Sequence, residues 1–247
     1  KLLVRIEDID QTRCSPEYEA AMLDDLAWLG LEWEEPVRRQ SEHFDDDTVA
    51  LNKLTALGLT YQSRLSRGEI RRIVETHEKK GGKWPRDPDG APMFPGLEHE
   101  SGAFPPDRNF SVRLNMKAAL ARAGDQVEWQ EFDSEKAITD HHSSPRKWGD
   151  VVLARRDAPT SYHLAVTVDD ALQGVTHVVR GSDLYEATSV HILLQRLLQL
   201  PKPTYWHHDL ILDEDGRKLS KSRGDTSIAF LRQEGATPDD IRNLVGI

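Results

Sequence analysis

The run KLLVRIEDID passes from apolar residues to carboxylates and predicts a short β strand with acidic groups at its end. SPEYEAAMLDDLAWLGLEW follows with helix signals: Ser15 as N-cap, Pro16 at the first helical position and Gly30 as the stop. Ala21, Met22, Leu26 and Leu29 recur at helical spacing and predict one face packed inward. A strand leading directly into an amphipathic helix is the unit of an α/β sheet. DDDTVALNKLTALG predicts a second helix, closed at Gly58.

Residues 61–110 differ. A basic helix over about 67–80 precedes a stretch rich in Gly, Pro and charge, the composition of an irregular insertion. Sheet-like patterning resumes with FSVRL, VEWQEF and DVVLARRD, then SYHLAVTVDDALQGVTHVVRG, read as two β-branched runs around a turn or short helix. DLYEATSVHILLQRLLQL predicts a long apolar-faced helix ended by Pro201 and Pro203. HHDLILDEDGRKLS predicts a strand, a turn and a basic loop. TPDDIRNLVG predicts a last helix with Thr237 as N-cap and Asp240 in a capping box. The order is α/β with one polar insertion and no internal repeat.

The 247 residues, 38% hydrophobic and 30% charged, suit one large domain or one domain carrying an insertion. No stretch approaches the ~18 apolar residues of a membrane span, and the lone Cys14 excludes an internal disulfide and a multi-cysteine metal site. The expectation is a soluble cytoplasmic protein. A net charge of −10 argues against a non-specific DNA binder, yet the basic residues cluster, at 216–225 and at Arg64, Arg67, Arg71, Arg72, Lys79, Lys80 and Lys83.

No Walker-type or G-x-G-x-x-G loop occurs, so any nucleotide must be held otherwise. GRKLSKSRGD is the best candidate. Its lysines Lys218 and Lys221, with Ser220 and Ser222, suit either a solvated hairpin end or a loop that grips a polyphosphate. In RIEDID, Glu7, Asp8 and Asp10 stand at the C-terminal end of a strand, where open α/β sheets bind ligands. They would meet an ammonium ligand, or cap the next helix and pair with Arg13. Arg180, before Gly181, can hold a carboxylate through two parallel hydrogen bonds or form a salt bridge to Asp183 or Glu186. Tyr162 either reaches a site or closes a core. The histidine pairs at 141–142 and 207–208, if on strands, point to opposite faces and do not chelate a metal together.

Taken together, LLVRIEDID, DDLAWLGLEW, RRQSE, YHLAVTVDDALQGVTHVVRG and DGRKLSKS resemble, in order and spacing, the glutamyl branch of the class I aminoacyl-tRNA synthetases. KLSKS is similar to that class's KMSKS signature. Three features resemble the short, glutamyl-queuosine-forming paralogues within the branch: Val166 in LAVTVDD in place of an asparagine, RGSDLYEAT after the arginine, and a chain ending soon after the signature loop.

The resemblance implies a Rossmann-like catalytic domain over 1–247, with 61–110 an inserted connective subdomain, 201–247 the signature loop and C-terminal helical part, and no anticodon-binding domain. It implies activation of L-glutamate by ATP with Mg2+, and transfer to the queuosine base of tRNA(Asp), docked by its anticodon stem-loop. Glu7 would contact the glutamate ammonium, and Tyr162 and Arg180 would complete the amino-acid pocket. Lys221 would grip the ATP phosphates and stabilise the transition state, and Lys218, Ser220 and Ser222 would shape that loop. A monomer, without membrane association, is expected. The alternatives are a truncated synthetase charging the tRNA 3′ end and a non-catalytic tRNA-binding paralogue.

Two departures stand beside the resemblance. The family's HIGH-like motif and a Ser/Arg pair precede the point where this sequence opens, which matches a second strand. The expectation is a complete enzyme whose upstream part lies outside this sequence. The family's zinc positions fall on Ser63, Leu65, Phe94 and Glu98, and leucine and phenylalanine supply no donor, so no zinc is expected. Trp84, Phe94 and the prolines would hold the insertion instead.

Overall fold

A computed structural model describes residues 1–12, 14–99, 109–213, 215–219 and 226–246. Along the chain come β1 (Arg5–Ile6), α1 (Pro16–Trp28), β2 (Arg38–Arg39), α2 (Phe44–Ala56), β3 (Thr60–Ser63) and α3 (Arg67–Lys79). After the insertion follow β4 (Ser111–Leu114), α4 (Met116–Ala123), β5 (Val127–Phe132), β6 (Ile138–Ser143) and β7 (Val152–Ala154). The chain continues through α5 (Tyr162–Leu172), β8 (His177–Gly181), α6 (Thr188–Leu198), β9 (Thr204–His208), α7 (Ile228–Gln233) and α8 (Pro238–Val245). These elements form two compact units, one of residues 1–43 with 209–247, the other of residues 44–208.

In the first unit, β1 and β2 pair in parallel, Arg5 opposite Arg38 and Ile6 opposite Arg39. Ile6, Ile9, Val37 and Ile241 supply its buried apolar side chains. Ser15 caps α1 by accepting from the Tyr18 amide at 3.4 Å, and Thr237 and Asp240 form the expected capping box on α8. The inward-packed face of α1 is corrected: no residue of the helix is buried, and Ala21 and Met22 are exposed while Leu26 is half-buried. Within this unit α1 is fastened by polar contacts instead. Arg39 Nε donates to Glu19 at 3.0 Å, Arg232 Nη1 to Asp24 at 2.7 Å, and Arg242 Nη2 to the Leu29 carbonyl at 2.7 Å.

The second unit carries the main core. One sheet orders β3–β4–β7, all antiparallel; the other orders β6–β5–β9–β8, with β5, β9 and β8 parallel and β6 antiparallel at the edge. Leu54, Leu114, Leu153, Leu164, Ile192, Leu193 and Leu194 are fully buried between sheets and helices. Gly58 ends α2 at φ +71°, a conformation that costs a glycine little. Asp150 ties three segments: Oδ2 accepts from Tyr61 Oη at 2.5 Å, Oδ1 from the Met116 amide at 2.8 Å, and its carbonyl from Arg113 at 2.7 Å.

Two sequence expectations change here. YHLAVTV, expected as a β-branched run, is the helix α5, whose residues Leu164 to Asp170 are all buried. A helix enclosed on every side is specified by packing, which overrides the strand propensity of Val166, Thr167 and Val168. The apolar helix α6 starts only at Thr188, after a 3-10 turn at 182–184, and ends at Gln199 in the left-handed region (φ 59°), before either proline.

The insertion contains more order than its composition suggests. Ser66 and Glu69 form a capping box on α3. Trp84 is buried, donates from Nε1 to the Met93 carbonyl at 3.0 Å, and meets the rings of His77 and His99 edge-on. The Arg113 guanidinium lies 3.9 Å from the Phe94 ring centre. Both aromatic anchors expected of this segment thus make specific contacts. Ser63 is buried on β3 and Leu65 is buried beyond it, while Glu98 is exposed. Among the described residues, no three His, Cys, Asp or Glu side chains gather as a metal site, and no helix is long and apolar enough to cross a membrane.

Candidate active site

The expected residues divide between the two units. In the first, Glu7 follows directly on β1, 3.6 Å from Arg5. Its neighbour Asp8 is committed to structure, accepting from the Ser41 amide at 2.8 Å and hydroxyl at 2.5 Å. Asp10 accepts from the Thr12 amide and hydroxyl in a local turn. Capping of α1 belongs to Ser15 and not to these carboxylates, and Arg13 lies outside the described residues. The Gly216 amide donates to the Asp213 carbonyl at 2.9 Å, and a bridge between Leu212 and Lys218 follows at the start of the basic loop, with Lys218 exposed. Ser220, Lys221 and Ser222 lie outside the described residues.

In the second unit, Tyr162 opens α5 and Arg180 stands near the C-terminal end of β8, in the parallel part of the sheet. Arg180 forms neither salt bridge weighed for it. Nε donates to His207 Nε2 at 3.1 Å, Nη1 to His191 Nδ1 at 3.1 Å, and Nη2 to Thr188 Oγ1 at 2.6 Å and the Leu184 carbonyl at 3.4 Å. Its guanidinium carbon also lies 5.0 Å from the Tyr205 ring centre. Among the described residues, no carboxylate oxygen bonds directly to this cation. Tyr162 meets the other side of the cluster, its ring 5.6 Å from that of His191.

The histidines continue the network in both directions. His191 Nε2 is 3.1 Å from His163 Nδ1, and His207 Nδ1 is 3.0 Å from Glu131 Oε1, which also accepts from Trp129 Nε1 at 2.8 Å. Burial pulls His163 down from 6.5 to about 4, with Arg180 adding to the effect. His191 is held well below 6.5 by burial first and then by the Arg180 charge. His207 is lowered by burial and Arg180, against the opposing pull of Glu131. Burial likewise pushes Tyr205 up to about 12.

The pairs HH do divide between faces as a strand requires. His207 is enclosed and His208 exposed on β9; His141 stacks on Trp129 and bonds Tyr185 Oη at 2.9 Å on β6, while His142 faces out. Sequence reasoning missed His163, His191 and Glu131. The available signal was a histidine inside each of two apolar helical runs, YHLAV and SVHILL, where a polar ring needs a partner.

Comparison with known proteins bears on the whole chain. The family model described as tRNA synthetases class I (E and Q), catalytic domain, matches residues 1–246. The chain is 43% identical to a glutamyl-Q tRNA(Asp) synthetase of Rhodobacter capsulatus, covering 100% of this chain and 88% of that protein. It is 34% identical to a protein of the same name from Symbiobacterium thermophilum, covering 98% and 74%. A glutamate–tRNA ligase of a Synechococcus species is 35% identical over 99% of this chain, which spans 50% of that ligase. Among solved structures, a glutamate tRNA ligase from Elizabethkingia meningosepticum superposes with a TM-score of 0.74 at 23% identity, covering 99% of this chain and 53% of that one. The resemblance to the glutamyl-queuosine branch, read from motifs, recurs in the whole-chain identities. The chain belongs to the class I tRNA synthetases of the E and Q type.

Proposed function

We propose that this catalytic domain, residues 1–247 with the insertion 61–110, activates L-glutamate with ATP and transfers it to the queuosine base at the wobble position of tRNA(Asp). The observation that carries the reading is the 43% identity over 88% of a glutamyl-Q tRNA(Asp) synthetase, against 35% for a glutamate–tRNA ligase. In the first step, a glutamate carboxylate oxygen attacks the α-phosphorus of ATP, and the bond to pyrophosphate breaks. In the second, a hydroxyl of queuosine attacks the acyl carbon, AMP leaves, and the hydroxyl proton passes to solvent.

Arg180, a partly buried cation with no carboxylate bonded to it among the described residues, suits glutamate's other carboxylate. Tyr162 and Glu7 would complete recognition, Glu7 by meeting the ammonium. Lys221, with Lys218, Ser220 and Ser222, would neutralise charge on the departing pyrophosphate, with Mg2+ accompanying the nucleotide. The tRNA(Asp) anticodon stem-loop is the proposed RNA partner, and the enzyme is proposed to act as a cytoplasmic monomer.

Glutamate-dependent ATP–pyrophosphate exchange without tRNA tests the activation half. Exchange is expected, and its absence from the whole enzyme would leave the non-catalytic tRNA-binding reading. The glutamate–tRNA ligases among the relatives support the other alternative, charging of a tRNA 3′ end, which the acceptor nucleotide distinguishes.

A further inference from the structure

The hydrogen bonds around Arg180 fix the proton on every ring they reach. A guanidinium donates and never accepts, so the nitrogens it meets, His207 Nε2 and His191 Nδ1, must both present lone pairs. His207 is then neutral with its proton on Nδ1, which donates to Glu131. His191 is neutral with its proton on Nε2, which donates to His163 Nδ1, leaving His163 protonated on Nε2 alone. The Thr188 hydroxyl accepts from Arg180 at 2.6 Å and lies 3.2 Å from His207 Nε2, where its proton can only share the single lone pair with Arg180 Nε. One cation thereby orders a chain from His163 to Glu131 with a single consistent set of tautomers.

We propose that His191 and His207 are positioning residues for the substrate carboxylate, each fixing one N–H of Arg180 so that the guanidinium plane is set before glutamate arrives. This rests on the reading of Arg180 as the carboxylate's partner. Among the described residues, four of the five guanidinium N–H groups find acceptors, the one on Leu184 at the long distance of 3.4 Å. Among the described residues the second N–H on Nη1 meets no acceptor, and it and the long Nη2 bond are what a ligand would take. Protonating either histidine would remove an acceptor and place a second charge against the arginine, and the depressed basicity of all three rings opposes this. His163 and Glu131 act one step further out by holding the tautomers.

The test is glutamate-dependent exchange by the whole enzyme carrying His191→Leu, His191→Asn, His207→Leu or His207→Gln, with Arg180→Gln as reference. Asn and Gln return an acceptor oxygen near the lost Nδ1 or Nε2. Each Leu variant is expected to raise the KM for glutamate about tenfold or more, with the KM for ATP within about twofold, and the amide variants to recover most of the loss. Folded Leu variants with the wild-type glutamate KM would overturn the inference alone, provided Arg180→Gln raises it. An unchanged KM in Arg180→Gln would remove the reading of Arg180 and the inference together. Should the Leu variants not fold, 15N NMR of the wild-type enzyme at pH 7 decides. The expected spectrum has His207 protonated on Nδ1, with His191 and His163 protonated on Nε2; any other tautomer or an imidazolium would overturn the inference.

Discussion

His207 Nδ1 lies 3.0 Å from Glu131 Oε1 with both side chains enclosed, at 3% and 12% exposure, yet the pair is a neutral ring donating to a carboxylate and not an ion pair. The opposite nitrogen decides this, because Arg180 Nε donates into it. The positive charge stays on Arg180 and the negative on Glu131, with an uncharged ring between them. Charge separation of this kind leaves the arginine attractive to an anion, whereas a direct arginine–glutamate bridge would have occupied it.

Stability should fall with acid below neutrality. His163 has its folded value depressed from 6.5 to about 4, and His191 and His207 move the same way. Between those values the unfolded chain binds more protons than the folded one, so stability rises with pH. The contribution is complete above about 6.5 and is lost as pH falls toward 4, on the order of 3 kcal/mol for His163 alone. Chemical denaturation between pH 4 and 8 measures it; a flat profile from 6.5 to 5 would contradict it.

Trp84→Ala should destabilise the protein by about 3 kcal/mol, since it empties the space between His77 and His99 and leaves the Met93 carbonyl without its donor. Urea unfolding gives the value, and a change below about 1 kcal/mol would show that the ring does not anchor the insertion.

Asp150→Ala should cost about 3 kcal/mol, because the Met116 amide and Tyr61 hydroxyl both lose their acceptor. Tyr61→Phe should cost about 1 kcal/mol, as it removes one hydroxyl and leaves the carboxylate on the α4 amide. Comparing the two by denaturation checks the arrangement; equal losses would count against it.

Lys221→Ala should slow exchange by about a hundredfold or more while leaving glutamate affinity within about twofold, as expected of a group that acts on developing phosphate charge. Calorimetry and exchange kinetics on the same variant separate the effects, and unchanged exchange would remove the proposed role of the loop.

Capped helices were the most legible part of the chain. Ser15, Gly58 and the Thr237–Asp240 pair act locally, so their signals survive without knowledge of the fold. The α5 segment was not legible, because Val166, Thr167 and Val168 favour a strand locally and only enclosure on every side makes them helical. For α1, periodicity marked a face but could not supply something to pack on it. Arg180 stood out by its place at the end of an apolar run. Its histidine partners come from α6 and β9, 11 and 27 residues away along the chain, and spacing alone says nothing of such a meeting.

The most direct test is the identity of the nucleotide that carries the glutamate. Whole enzyme, labelled glutamate and ATP are incubated with tRNA(Asp) containing queuosine, with tRNA(Asp) lacking it, and with tRNA(Glu), then digested to nucleosides and resolved by mass spectrometry. Glutamyl-queuosine from the first tRNA alone is the expected product. Label on the 3′-terminal adenosine of tRNA(Glu), with none on queuosine, would contradict the proposed function.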